Sequence, residues 1–241
     1  MAEAAVQRPS LRGRFITFEG GEGSGKSTQI RKLAERLDTA KLRVIVTREP
    51  GGSPGAEIIR HLVLSGMGKL LGPEAETLLF AAARDDHVRT VILPALNQGI
   101  WVLCDRFFDS TRAYQGQLGQ VSPELVNAMQ RVTIGDLKPD LTFILDVPVE
   151  VGLQRAAARR GNATADRFEA EGIKFHQDLR DAYRRIAAED PERCVLIDAT
   201  PDPVTGPAAR EGEQEMAREF RDLGSNVYLE ENEEAADVAA T

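Results

Sequence analysis

GGEGSGKS, residues Gly20 to Ser27, follows the apolar run Phe15–Phe18 and precedes Ile30, Leu33, Ala34 and Leu37, which recur at i, i+3, i+4 and i+7. The stretch fits G-x-x-x-x-G-K-[ST] in the strand-to-helix setting the pattern requires. At average residue frequencies, a chance match in a chain of this length is on the order of one per cent. The chemistry behind the pattern is simple. Gly20, Gly21, Gly23 and Gly25, with Glu22 and Ser24 between them, let the backbone turn tightly enough for successive N–H groups to point at one phosphate. The helix that follows adds the positive end of its dipole. Lys26 reaches the outer phosphates as a point charge, and the Ser27 hydroxyl is a ligand for Mg²⁺. A nucleoside triphosphate is therefore expected on this loop.

Working outward, four more short apolar runs read as strands: Leu42–Thr47, Ile100–Asp105, Leu141–Val147 and Cys194–Asp198. Each is nearly continuous in Val, Ile, Leu and Phe, as when both faces of a parallel sheet are covered. Helical patterns lie between them. Leu78, Ala82, Val88, Ile92 and Leu96 predict a long helix opened by Pro73 and closed by Pro94–Gly99. Ser122-Pro123 reads as an N-cap with Pro at the first helical position. Further helices are expected over about 150–160 and 167–188. Alternating strands and helices give an α/β fold, a five-stranded parallel sheet flanked by helices. We read residues 1–12 as a flexible N-terminus and 13–200 as one domain. The acidic tail 201–241 is read as partly disordered, with a short helix near 214–223.

The chain has 241 residues and a formal charge of −8. The tail alone holds eleven acidic and three basic residues; the first 200 residues hold 27 of each sign and are neutral. A neutral body offers no bulk attraction to nucleic acid. No apolar run approaches the roughly 18 residues that span a bilayer, and residues 1–12 lack the apolar core of a secretory signal. The two cysteines, Cys104 and Cys194, lie in strand-like runs and read as buried free thiols, consistent with the cytoplasm. The three histidines lack zinc-type spacing.

A phosphate loop leaves three classes open: a switch GTPase, an assembly ATPase and a small-molecule kinase. The guanine-reading N-K-x-D of a GTPase is absent from the sequence. The third strand ends in Asp105-Arg106, a carboxylate able to hold Mg²⁺ through water beside a cation suited to a second phosphorylated substrate. Arg48 likewise follows a strand end, the edge where open α/β sheets bind ligands.

FEGGEGSGKST at 18–28, TREPGG at 47–52, DRFFDSTRAYQG at 105–116 and DRFE at 166–169 resemble bacterial thymidylate kinases, over most of 14–200. The resemblance implies the P-loop nucleoside monophosphate kinase fold and transfer of the ATP γ-phosphoryl group to dTMP, with Mg²⁺ held near Ser27 and Asp105. It implies that Arg48 and Arg106 clamp the acceptor phosphate. Phe80 would stack on thymine and Arg84, one turn on, would read a base carbonyl. Thr111, Tyr114 and Gln115 would complete the pocket, with Tyr114 leaving little space for a 2′-hydroxyl. Glu22 would meet the deoxyribose 3′-hydroxyl or metal-bound water. Arg155, Arg159, Arg160 and Arg167 surround a lid at about 155–167. Since Gly23 stands where some relatives carry a loop arginine, Arg159 and Arg160 would supply the catalytic cation. A homodimer is also implied. The remaining alternatives are another (deoxy)nucleotide kinase, or a P-loop ATPase or switch that works through a partner.

Overall fold

A computed structural model describes residues 13–119, 121–161 and 167–200. The N-terminal dozen, the centre of the expected lid (162–166) and the acidic tail with its expected short helix lie outside the described residues.

The expected five strands form one sheet: β1 (Phe15–Gly20), β2 (Val44–Arg48), β3 (Trp101–Asp105), β4 (Leu141–Asp146) and β5 (Cys194–Asp198). Their order is β2-β3-β1-β4-β5 and every pairing is parallel. Arg48 is level with Asp105, Asp105 with Phe18, and Gly20 with Leu145. Parallel pairing thus delivers the phosphate loop, Arg48 and the Asp105-Arg106 pair to one edge.

Side-chain alternation divides the core. Ile16 and Phe18 of β1 face α1 (Lys26–Thr39), where Ile30, Leu33 and Leu37 are buried against Leu103, Phe143 and Leu145. Each such residue contributes roughly 1.5–3 kcal/mol of transfer free energy. On the other face, Phe15, Val102 and Cys104 pack on Val88, Ile92, Leu96 and Phe107. Further along, Ile144 meets Leu179, Ala182, Tyr183 and Ile186 of α8 (Ile173–Glu189).

The long helix opened by Pro73 does not stop before Pro94. α3 (Pro73–His87) passes through a π-helical turn, Val88–Ile92, into α4 (Leu93–Asn97), which ends short of Gly99. Pro94 lies in the first turn of α4, and the widened turn before it accommodates the missing N–H. The helix expected from 167 begins at Ile173, after Gly172. Three helical segments were missed, one of them a 3₁₀ turn at Met67–Leu71. α2 (Pro54–Leu64) follows Ser53-Pro54, the signal used correctly at Ser122-Pro123. α5 (Phe108–Thr111) runs into a π-helical turn, Arg112–Leu118. α6 (Pro123–Ile134) and α7 (Val149–Arg160) complete the set.

Candidate active site

The loop between β1 and α1 turns through left-handed backbone at Gly23 (φ 66°) and Gly25 (φ 96°). Lys26 folds back beneath it, donating to the carbonyls of Gly20 (3.1 Å) and Gly21 (2.9 Å) and to the Ser24 hydroxyl (3.4 Å). Burial, with Arg106 nearby, lowers the ammonium to a pKa of about 8. It is a cation held close to the loop with little solvent around it, the state that gains most from an arriving phosphate. Gly23 has no room for a side chain: a Cβ there would stand 1.9 Å from the carbonyl oxygen of Gly152 on α7. An arginine cannot replace it without moving backbone.

Ser27 and Asp105 meet across the loop, the hydroxyl donating to the carboxylate at 2.9 Å. Two adjacent hard oxygens suit Mg²⁺, which keeps several waters and takes its other ligands from phosphates. No cluster of three or more carboxylate, histidine or cysteine ligands occurs among the described residues. A shared protein–phosphate site fits that donor set better than a closed metal cage.

Arg106 follows Asp105 with φ 70°, a strained value for a residue with a side chain. Its guanidinium donates to the Gly20 carbonyl (3.0 Å), the Tyr183 hydroxyl (3.0 Å) and Glu22 (2.7 Å), and lies 5.2 Å from the Tyr114 ring centre. Desolvation opposes the charge, but Tyr114, Tyr183, Glu22 and Asp105 hold its pKa well above the ordinary value. Burial likewise opposes ionisation of Glu22, yet Arg106, Lys26 and Arg159 keep its carboxyl below the usual range. Glu22 also accepts from Tyr114, at 3.4 Å.

Arg48 does not pair with its neighbour Glu49. It is half exposed and donates to Glu57 of α2 at 3.0 Å. Glu49 turns inward and accepts from Arg84 Nε at 2.7 Å, while its other oxygen meets His87 Nδ1 at 3.1 Å. Arg84 also donates to Thr111 Oγ1 and to the Phe107 carbonyl, both at 3.0 Å. Its plane is therefore fixed from three sides.

One cleft of about 440 Å³ gathers these groups. Glu22, Gly23, Ser24, Gly25, Lys26 and Ser27 line it together with Arg48, Asp105 and Arg106. Phe80, Arg84, Thr111, Tyr114, Gln115 and Arg159 line it too, whereas Arg160 is not among its lining residues. Gly20 and Gly21 of the loop line a smaller hollow behind it. The cleft also includes Glu49, Arg60, Ser110 and Phe168, which sequence reasoning did not single out. Glu49 and Phe168 sat inside quoted motifs, TREPGG and DRFE, so the signal was present.

The arginine-rich segment divides. Arg159 and Arg160 both donate to Glu169, at 3.2 and 2.7 Å. Arg155 points away, donating to the carbonyls of Ala199 (2.8 Å) and Thr200 (2.6 Å). Arg167 forms a forked pair with Glu76 of α3. Two of the four arginines therefore anchor the segment.

The thymidylate kinase sequence profile matches residues 18–205. The chain is 80% identical over 205 residues to a thymidylate kinase of Bradyrhizobium diazoefficiens, covering 85% of this chain and 90% of the relative. It is also 80% identical over 202 residues to one of Nitrobacter winogradskyi, covering 84% and 88%. Among solved structures, the thymidylate kinase of Ehrlichia chaffeensis superposes with a TM-score of 0.68 at 32% identity, covering 87% of this chain and 99% of that one. A phosphate loop alone is shared by many enzymes, but identity sustained across loop, cleft and sheet is not, and the chain belongs to the thymidylate kinase family.

Proposed function

We propose that this protein transfers the γ-phosphoryl group of ATP to dTMP, giving ADP and dTDP. The observation that carries the reading is the single cleft lined both by the phosphate loop and by Phe80 and Arg84. An acceptor phosphate is already an oxyanion, so the reaction needs no general base. What it needs is alignment of two anions and cancellation of their repulsion.

Lys26 and the loop amides bind the β- and γ-phosphates, and Arg48 and Arg106 hold the acceptor phosphate. To take that position, Arg48 exchanges its exposed contact with Glu57 for the phosphate, a low-cost exchange for a solvated pair. Ser27 and Asp105 hold Mg²⁺, which when bound neutralises charge on the phosphates. Phe80 stacks on the base, Arg84 reads its edge, and Thr111, Tyr114 and Gln115 close the pocket around base and sugar. The ion pair between Glu22 and Arg106 supports a role for Glu22 at the 3′-hydroxyl, since it fixes the carboxylate beside the clamp. Arg159 and Arg160 supply the cation at the transferring group when the lid closes, which also excludes water.

The described residues contain no helix long and apolar enough to cross a membrane. We place the reaction in the cytoplasm, on the two buried free thiols. We place a homodimer contact on the helical layer of α2, α3 and α6, where Ile58, Leu78 and Val132 are exposed. Residues 13–200 form the kinase unit, with the lid at about 155–167.

The test is ADP release measured with ATP and a panel of nucleoside monophosphates. Strong dependence on dTMP is expected. Preference for a purine monophosphate, or hydrolysis indifferent to every acceptor, overturns the proposal. Lys26→Ala removes the loop cation and is expected to lower kcat by at least about 10²-fold.

A further inference from the structure

Glu19 is the penultimate residue of β1 and is completely buried. Nothing in the chemistry above uses it. Its side chain lies on the sheet face opposite Phe18, where one oxygen accepts the Phe107 N–H at 2.8 Å. The other accepts the Ser110 hydroxyl at 2.7 Å and the Tyr183 hydroxyl at 3.0 Å. Arg106 donates to those same two hydroxyl oxygens, at 3.4 Å to Ser110 and 3.0 Å to Tyr183.

The direction of these bonds matters. When ionised, the carboxylate can only accept, so a hydroxyl that gives its one hydrogen to Glu19 turns a lone pair toward Arg106; the Ser110 and Tyr183 hydroxyls also lie 2.9 Å from each other. The hydroxyls thus become acceptors for the guanidinium because Glu19 is an acceptor for them. The backbone is tied in the same way. Arg106 sits at φ 70°, a conformation unfavourable for any residue with a side chain. The next N–H, that of Phe107, is the one Glu19 holds. Burial and the neighbouring Asp109 push the Glu19 carboxyl up to about 7, against the pull of Arg106, Ser110 and Phe107. A carboxylate kept in such surroundings costs stability, so its bonds to the Arg106 turn are the feature that explains its presence.

We propose that Glu19 is a positioning residue for Arg106, fixing both the strained turn and the polarity of the two hydroxyls so that the guanidinium is aimed at the acceptor phosphate. The inference rests on the reading of Arg106 as an acceptor clamp, and the experiment separates the two. Glu19→Gln keeps the shape but brings an NH₂ group against N–H and O–H donors. Kinetic constants are measured for Glu19→Gln, Arg106→Ala and the double variant, varying dTMP and ATP separately.

Arg106→Ala is expected to raise KM for dTMP. Glu19→Gln is expected to raise it about tenfold, with KM for ATP within about twofold of the parent. Added to Arg106→Ala, it should change KM for dTMP by less than about twofold, because the group it positions is gone. If Arg106→Ala leaves KM for dTMP unchanged, the clamp reading falls and the inference with it. If Arg106→Ala raises KM for dTMP but Glu19→Gln lowers only kcat or the melting temperature, Glu19 is structural and the inference alone is overturned. Should Glu19→Gln fail to fold, Tyr183→Phe decides: it removes one hydroxyl from the chain without touching a charge. A selective rise in KM for dTMP then supports the proposal, and an unchanged value overturns it.

Discussion

Gly23 and Gly152 meet backbone to backbone. A Cβ on Gly23 would lie 1.9 Å from the Gly152 carbonyl oxygen, and one on Gly152 would lie 2.5 Å from the carbonyl of Glu22. The phosphate loop and the helix carrying Arg159 and Arg160 are therefore in direct register, with no side chain between them to take up slack. Gly152→Ala should push α7 off the loop. The expected result is a rise in KM for ATP of about tenfold or more and a lower melting temperature, while KM for dTMP changes much less. Steady-state kinetics with each substrate varied in turn, together with thermal unfolding, check this.

The lid arginines should show a different signature. Because Arg159 and Arg160 share the Glu169 carboxylate, either one can substitute in part for the other. Each single alanine variant is expected to lose less in kcat than the pair removed together. The double variant should fall by about 10³-fold with KM for dTMP little changed. An unchanged kcat in the double variant would remove the lid from the mechanism.

Phe80→Ala should act mainly on recognition. The ring is nearly buried and lines the cleft, as does Arg84. Its removal is expected to raise KM for dTMP about tenfold or more. If KM for dTMP is unaltered and only stability falls, Phe80 is ordinary core.

The two thiols give a prediction tied to pH. Burial pushes Cys104 well above its ordinary value of 9.0 and Cys194 up to about 12. Native protein at pH of about 8 should therefore show almost no reaction with a disulfide reagent, and both thiols should react on unfolding. The linkage has a definite sign. Above 9.0 the unfolded chain releases these protons while the folded protein keeps them, so this contribution to stability is intact below 9.0 and declines as pH rises toward 12. Denaturant midpoints measured across that range should fall.

The strands were legible because each is a nearly continuous apolar run, the mark of a sheet covered on both faces; the central strands β1, β3 and β4 meet it, whereas the edge strand β2 has no fully buried residue. The loop was legible because phosphate binding fixes residue types at fixed spacing. What escaped reading was set by contacts far apart in sequence. Pro94 announced a helix end, yet the helix passes through it by widening a turn, which is invisible to a 3.6-residue pattern. Glu49 stands beside Arg48 in sequence, but the backbone turns it toward Arg84 and His87, 35 and 38 residues away. Arg155 belonged by composition to the lid cluster, and only the position of the chain after β5 shows it to be a brace. Side-chain identity located the cleft; which cation faces it depended on tertiary placement.

Glu169 bears on which anions reach the two arginines. With Arg159 and Arg160 already satisfied by a carboxylate, an incoming anion does not meet bare cations; it must displace a tethered rival. A polyphosphate, which carries several charges, is better suited to make that exchange than a singly charged solute such as chloride.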